Sequence, residues 1–346
     1  MPLSTSKVQL LTVIIPTRGR SHKLAALLDA LDTHSSKAKF EVIVIIDGQG
    51  DVPDGARSYA LETIHTDHVG AGGARNLGIE RARGEAVLFL NDDVIPSEGY
   101  INAHVEMLEA GHRAVLGYSP WREFDSPTVF DAMIIHTPAI FNQAGLVDGQ
   151  CYDFRHGWTL NLSVRLDAIG QLDQPFDPRL RPIYFEDIEF AHRCFGEDPK
   201  IVYCERAKAV HDHRVTIREY FAREVLLGMM SVVLFETNRR CYDTIFPCAP
   251  NEHAQRAAGG LMLDVRDHRR ILERLINQAD EPAGGVDRVD RASALYDLHL
   301  LIKRRAFRVG LCAMCEEVIP WDQRVARAGA LLDGDPVLGM LAARSV

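Results

Sequence analysis

Ala86-Val87-Leu88-Phe89-Leu90 runs without a break into Asn91-Asp92-Asp93. Five consecutive apolar residues bounded by polar ones read as a strand buried on both faces, the kind found in a sheet covered by helices. The carboxylates that follow it then stand at the strand's C-terminal end, the edge at which open α/β sheets bind ligands. Adjacent carboxylates repel, so a hard divalent cation shared between them and completed by diphosphate oxygens is one account of the cluster. A turn or helix start that favours Asp is another, and the tripeptide alone does not choose.

Outward from this stretch the same pattern repeats. Leu10-Leu11-Thr12-Val13-Ile14-Ile15 is a β-branched run stopped by Pro16, and Ser21 caps a helix to about Leu31. Glu41-Val42-Ile43-Val44-Ile45-Ile46 ends at Asp47-Gly48, where the turn points the aspartate out of the strand end. The loop Gly70-Ala71-Gly72-Gly73 feeds a helix from Ala74 to Arg83. Strands alternating with helices predict an α/β unit with a mainly parallel central sheet, whose crossovers bring Asp47, the glycine loop and the acidic cluster to one edge. Further on, residues 111–165 mix short strands with loops, Phe185-Glu186-Asp187-Ile188-Glu189-Phe190 opens a helical segment, and Ile201-Val202-Tyr203 is a short strand. Beyond His213 the pattern turns helical, with long helices over 218–236 and 292–309 and a linker at Asp280–Gly285. The predicted organisation is an α/β domain over 1–213 and a helical region over 214–346.

Composition narrows the classes. The chain has 346 residues, 47% hydrophobic and 25% charged, which suits a globular protein with a full core. A net charge of -9 and a pI near 5.9 argue against a nucleic-acid partner, which needs a basic surface. Met1–Leu11 lacks the pattern of a secretory signal, so a cytoplasmic location is expected. The longest apolar stretch, Val225–Phe235, falls short of the roughly 20 residues that span a bilayer, which leaves at most a peripheral contact with the inner face of the membrane. Seven dispersed cysteines suggest reduced thiols, and Cys312-Ala-Met-Cys315 has no second ligand pair nearby to make a zinc site.

Two further groups bear chemistry. His211-Asp212-His213, if extended, turns both imidazoles to one face, as metal ligands or as a polar strand end. Glu186-Asp187 at a helix start offers a general base, although helix starts also attract acids through the dipole.

The order and spacing of these pieces resemble the family 2 glycosyltransferases, which have the GT-A fold. Val13-Ile14-Ile15-Pro16-Thr17-Arg18-Gly19-Arg20 is similar to that family's first strand and nucleotide-contacting turn, and Asp47 stands where its base-contacting aspartate does. Gly70–Gly78 is similar to the family's Gly-x-x-x-Ala-Arg-Asn segment, and Asn91-Asp92-Asp93 takes the Asp-x-Asp position. Asn161-Leu162-Ser163-Val164-Arg165, then Glu186-Asp187, resemble the acceptor-side motif and the pair whose aspartate is the base, and Val210-His211 resembles the late metal-binding histidine. There are two departures from the pattern: Asn91 replaces the first aspartate, and Gly19 the commoner asparagine.

The resemblance implies a three-layer GT-A domain with a helical C-terminal extension, moving a sugar with inversion from a nucleotide-diphosphate donor, UDP-type by expectation, to a hydroxyl acceptor. Asp187 would be the base, with Trp158, Asn161 and Glu186 on the acceptor side. Pro16, Thr17, Arg20, Asp47, Arg75, Asn76, Asn91 and Asp92 would bind the nucleotide sugar. Asp93 and His211, with His213 as the alternate, would hold Mn2+ or Mg2+. The acceptor is a glycan, a lipid-linked sugar or a small molecule, as in the building of cell-surface polysaccharide, and a homodimer is left open. A dinucleotide oxidoreductase fits less well, because the first strand ends in Pro16-Thr17-Arg18 and the glycine loop comes some fifty residues later. An inactive sugar-nucleotide-binding or scaffold protein is the remaining alternative, raised by Asn91.

Overall fold

The computed structural model describes residues 7–33, 36–53, 55–141, 143–170, 172–260, 265–285 and 287–344. They form two compact units, the first made of 1–122 and 145–213 and the second of 123–144 and 214–346. Glu123–Ala144 thus leaves the α/β unit and packs within the helical one, an excursion that a single boundary at 213/214 does not describe.

In the first unit β1 (Leu11–Thr17), β2 (Phe40–Asp47), β3 (Ala60–Thr66) and β4 (Ala86–Leu90) pair in parallel in the order β3-β2-β1-β4. Val13–Ile15, Val42–Ile46 and all of β4 are buried, which is why these runs carry no polar alternation. The segment β3 has the opposite look: it lies at the sheet edge, half-exposed, and its Leu-Glu-Thr-Ile-His-Thr sequence carries too few apolar residues to stand out. Beyond β4 the sheet is mixed. A strand β8 (Asn161–Arg165) inserts antiparallel between β4 and β6 (Ala114–Gly117), and β9 (Ile201–Cys204) and β7 (Cys151–Tyr152) follow. A short antiparallel pair, β5 (Val94–Pro96) with β10 (Ala209–His211), stands apart from this sheet.

Helices α1 (Ser21–Thr33), α2 (Gly70–Arg81), α3 (Tyr100–Glu109) and α6 (Glu186–Phe195) complete the unit, with a four-residue α5 (Leu166–Ile169) between β8 and α6. The α2 helix begins at Gly70, so the glycine run expected as a loop is its first turn. Small residues are required there by packing: a Cβ on Gly72 would lie 3.1 Å from Phe176 Cβ, and one on Gly78 would lie 2.4 Å from Ile14 Cγ2. The helix therefore lies directly on β1.

The second unit consists of α4 (Val129–His136), α7 (Ile217–Thr237), α8 (Arg239–Ile245), α9 (Pro250–Gly260), α10 (Val265–Ala279), α11 (Arg288–Glu316) and α12 (Arg324–Gly334). The two long helices cross at glycines, since a Cβ on Gly228 would stand 1.9 Å from the Phe307 carbonyl and one on Gly310 1.8 Å from that of Val225. Asp280–Gly285, read as a linker, is tied to the start of α4 by Val129 N–H to Glu281 O and Ala283 N–H to Pro127 O. Most of the buried surface of α7 is ordinary core, and among the described residues no helix is long and apolar enough to cross a membrane.

Candidate active site

The C-terminal ends of β1 and β4 lie side by side in the first unit, and the chemistry-bearing side chains gather there. Thr17 Oγ1 donates to Asp92 Oδ2 at 2.6 Å. Arg20, in the turn before α1, forks across both carboxylates: Nε and Nη2 donate to Asp92, and Nη1 donates to Asp93 Oδ2 at 2.7 Å. Asp92 is wholly buried and its two oxygens are engaged by these groups. Full burial pushes its carboxyl above the usual range, against the pull of Arg20 and the Thr17 hydroxyl. The repulsion expected between the two carboxylates is met within the chain itself. A guanidinium supplies the countercharge, and Thr17 and Asp92 serve to hold it.

Asp93 keeps one oxygen outside this network. Its Oδ1 is buried, accepts no hydrogen bond and faces His211 Nε2 at 3.4 Å. Burial alone would raise this carboxyl, but His211, Arg20 and His213 together hold it well below the usual carboxylate range. The His211 ring stacks on Trp121 with centroids 4.1 Å apart, the His211 backbone N–H donates to Pro120 O, and the next amide, Asp212 N–H, donates to Asp93 O at 2.7 Å. Lys23 Nζ at 2.6 Å and Arg122 Nη1 at 2.9 Å clamp the Asp212 carboxylate. His213 is half-exposed, its ring 6.1 Å from that of His211. The orphaned oxygen and the neighbouring imidazole suit a divalent cation, since carboxylate and imidazole both ligate Mn2+. Among the described residues no group of three or more His, Cys, Asp or Glu side chains is arranged to hold one, so a diphosphate would have to supply the remaining ligands.

A second cluster lies beside the first. Arg75, on α2, donates to Glu186 Oε1 at 3.0 Å and to Asn91 Oδ1 at 3.3 Å, with its guanidinium 5.6 Å from the Phe176 ring centroid. Arg75 and Glu186 are both about 4% exposed. Arg75 thus acts as an internal strut joining α2, the end of β4 and α6. Asp187 follows in the first turn of α6, half-buried, after two residues in the left-handed region, Tyr184 at φ 80° and Phe185 at φ 64°. Such backbone is sparsely populated by residues with a Cβ and persists where the surroundings enforce it. Burial and the negative charge of Glu186 push the Asp187 carboxyl up to about 7, with Arg75 pulling the other way.

Three further residues expected at the site have intramolecular partners. Both oxygens of Asp47 accept backbone N–H groups, from Val69 at 2.8 Å and Gly70 at 2.9 Å, so the carboxylate caps α2. The Asn76 amide is closed on the backbone of Phe176 in both directions, at 2.8 Å and 2.9 Å. Asn161 is fully buried at the start of β8, accepting from Tyr100 Oη and His104 Nε2 and donating to Ser119 Oγ and Ala207 O. Burial takes His104 down to about 4, so it is neutral and donates through Nε2 while accepting from Ser163 Oγ. Trp158 is half-buried with its ring 5.3 Å from His156, and Pro16 is half-buried at the end of β1. Trp121, Lys23 and Arg122 escaped the sequence reading, because their partners lie 90 or more positions away and no motif marks them.

Asp47→Asn tests the capping role. An amide keeps one acceptor and sets its NH2 against the other N–H, so stability should fall by about 1–2 kcal/mol with nucleotide affinity unchanged. Weaker nucleotide binding at an unchanged melting temperature would return Asp47 to the nucleotide.

The first unit is thus an α/β fold with a mixed central sheet and acidic side chains at the C-terminal end of its parallel strands. Residues 12–162 match the family described as Glycosyl transferase family 2. An uncharacterized glycosyltransferase of Haemophilus influenzae is 32% identical over 87 residues, which is 24% of this chain and 29% of that protein. The pre-mycofactocin glycosyltransferase of Mycobacterium tuberculosis is 26% identical over 247 residues, 63% of this chain and 46% of that one. The chain spans less than half the length of these relatives. Among solved structures, a mannosyltransferase from Pyrobaculum calidifontis in complex with GDP-Man and Mn2+ aligns over 99% of this chain and 89% of its own, at 14% identity and a TM-score of 0.47.

Proposed function

We propose that the chain transfers a sugar from a nucleotide-diphosphate donor, UDP-type, to a hydroxyl acceptor with inversion. The observation that supports this reading is a raised carboxyl, Asp187, on the helix that Arg75 ties through Glu186 to Asn91, the residue before the acidic pair that Arg20 and His211 engage. One group is suited to take a proton near neutral pH, and the other to bind a charged diphosphate. Asp187 accepts the proton of the acceptor hydroxyl as the acceptor oxygen bonds to the anomeric carbon. The bond from that carbon to the phosphate oxygen breaks, and its electron pair leaves on the nucleoside diphosphate. A single displacement from the face opposite the leaving group inverts the configuration. Mn2+ or Mg2+ held by Asp93 and His211 would supply Lewis-acid stabilisation of the leaving diphosphate. Arg20 contributes fixed positive charge at the same edge, Arg75 sets the position of Glu186 and hence of Asp187, and Trp121 fixes the His211 ring. The acceptor is a glycan, a lipid-linked sugar or a small hydroxyl compound.

A thermal-shift panel of nucleoside diphosphates and their sugars, with and without Mn2+, tests the donor side. A ligand that binds only the native state raises the melting temperature, by an amount equivalent to about 2.7 kcal/mol at a hundredfold excess over Kd. The expected result is a shift with one nucleoside diphosphate and its sugar, larger with Mn2+ than with chelator. No shift with any member of the panel would contradict the proposal.

A further inference from the structure

Arg20 donates to Asp92 through Nε and Nη2 and to Asp93 through Nη1, so it spans the two carboxylates where a cation shared by both would have to sit. The arginine side chain is 42% exposed, whereas those of Asp92 and Asp93 are 0% and 7% exposed. Only Asp93 Oδ1 escapes the fork, buried, without a hydrogen bond and turned toward His211. An acidic pair neutralised in this way attracts a free divalent cation less than a bare pair would, and the cation would meet the guanidinium's like charge at close range. It would also find only two protein ligands, whereas Mn2+ and Mg2+ suit octahedral sets of about six.

Building on the sugar-nucleotide reading, we infer that Arg20 is a positioning residue that sets the order of binding at the donor site. It stands as a resident countercation on Asp92 and Asp93 and keeps affinity for the free divalent ion low. It leaves Asp93 Oδ1 and His211 as a ligand pair that is completed only when a diphosphate brings its own oxygens. Metal and nucleotide therefore enter together, and the unliganded protein stays intact without metal because its buried charges are already paired.

The test is a titration of Mn2+ alone into the full chain, without nucleotide, followed by the electron paramagnetic resonance signal of the free ion. Wild type should bind Mn2+ weakly, and UDP should tighten that binding at least about tenfold. Arg20→Met should raise affinity for Mn2+ alone by about tenfold or more, because Asp93 regains its second oxygen and the pair its full charge. Arg20→Lys keeps the charge and should behave as wild type does. Arg20→Met leaves Asp92 buried without a countercharge; if it does not fold, Arg20→Met/Asp92→Asn removes that charge, still frees Asp93, and should bind Mn2+ alone more tightly than wild type. Affinity for Mn2+ alone that is unchanged or weaker in the folded Arg20→Met protein, or in Arg20→Met/Asp92→Asn where the single variant does not fold, overturns the inference, since an arginine serving only as a nucleotide contact would not move it. A wild type that binds no nucleoside diphosphate would instead overturn the sugar-nucleotide reading, and the comparison of Mn2+ alone would still decide the role of Arg20.

Discussion

Asp187→Asn is expected to lower sugar transfer by at least about a hundredfold while leaving nucleoside diphosphate affinity and the fold intact, in line with the loss of a positioned general base. Asparagine keeps the shape of the side chain and still offers an oxygen to the Ile188 N–H, which donates to Asp187 Oδ1 at 2.8 Å. It loses only the capacity to take a proton. Glu189→Gln should do far less, because Glu189 is already engaged by Arg193 at 2.6 Å. With Asp187 at about 7, wild-type kcat/KM should rise with pH through neutrality and level off above it, and the variant should lose this limb. Stability moves in the opposite sense. A carboxyl raised in the folded state holds its proton over a range where the unfolded chain has released it, so the native state loses stability as pH climbs from the ordinary Asp value to about 7. Asp187→Asn is free of that cost and should melt higher than wild type at pH 8, with no such advantage at pH 3. Turnover near normal in Asp187→Asn would exclude it as the base.

Arg75→Met is expected to destabilise the protein by about 3–5 kcal/mol, the usual result of removing one partner from a buried ion pair. Arg75 and Glu186 lie 3.0 Å apart with side chains each 5% exposed, so the change leaves a buried carboxylate without its countercharge. Arg75→Met/Glu186→Leu should recover most of the loss, because no charge then remains to be buried. Arg75 also draws the Asp187 carboxyl down, so in folded Arg75→Met, where Glu186 keeps its charge, the ascending limb of the pH profile should move to higher pH. An arginine whose task was to grip the donor diphosphate would behave differently: the melting temperature would hardly move and nucleotide affinity would fall.

The sequence makes plain the elements whose signal is local. Runs such as Val13–Ile15 and Ala86–Leu90 are apolar because both faces are covered, and the acidic residues follow β4 directly, so the central strands and the edge bearing the site are legible without coordinates. The edge strand β3 is not, because half-exposure removes the apolar run that would announce it. Roles of individual polar residues are harder to read, since each depends on a partner distant in the chain. Asp92 looks like half of a metal site until Arg20, 72 positions away, is seen across it. Asn161 looks like an acceptor contact until Tyr100 and His104 are found on its carbonyl. Asp47 and Asn76 are likewise consumed by backbone groups 22 and 100 positions away. What survives at the edge after this accounting is Asp187, Asp93 Oδ1 and His211, with Arg20 between the two carboxylates of the acidic pair.

Proton NMR of the purified chain with an α-linked nucleotide sugar and Mn2+, with water as the slow acceptor, reads bond cleavage and stereochemistry in one experiment. The account predicts slow release of nucleoside diphosphate together with the β anomer of the free sugar, observed before mutarotation and abolished by Asp187→Asn. Release of nucleoside monophosphate with sugar 1-phosphate, first appearance of the α anomer, or no cleavage of any nucleotide sugar that the protein binds would contradict it.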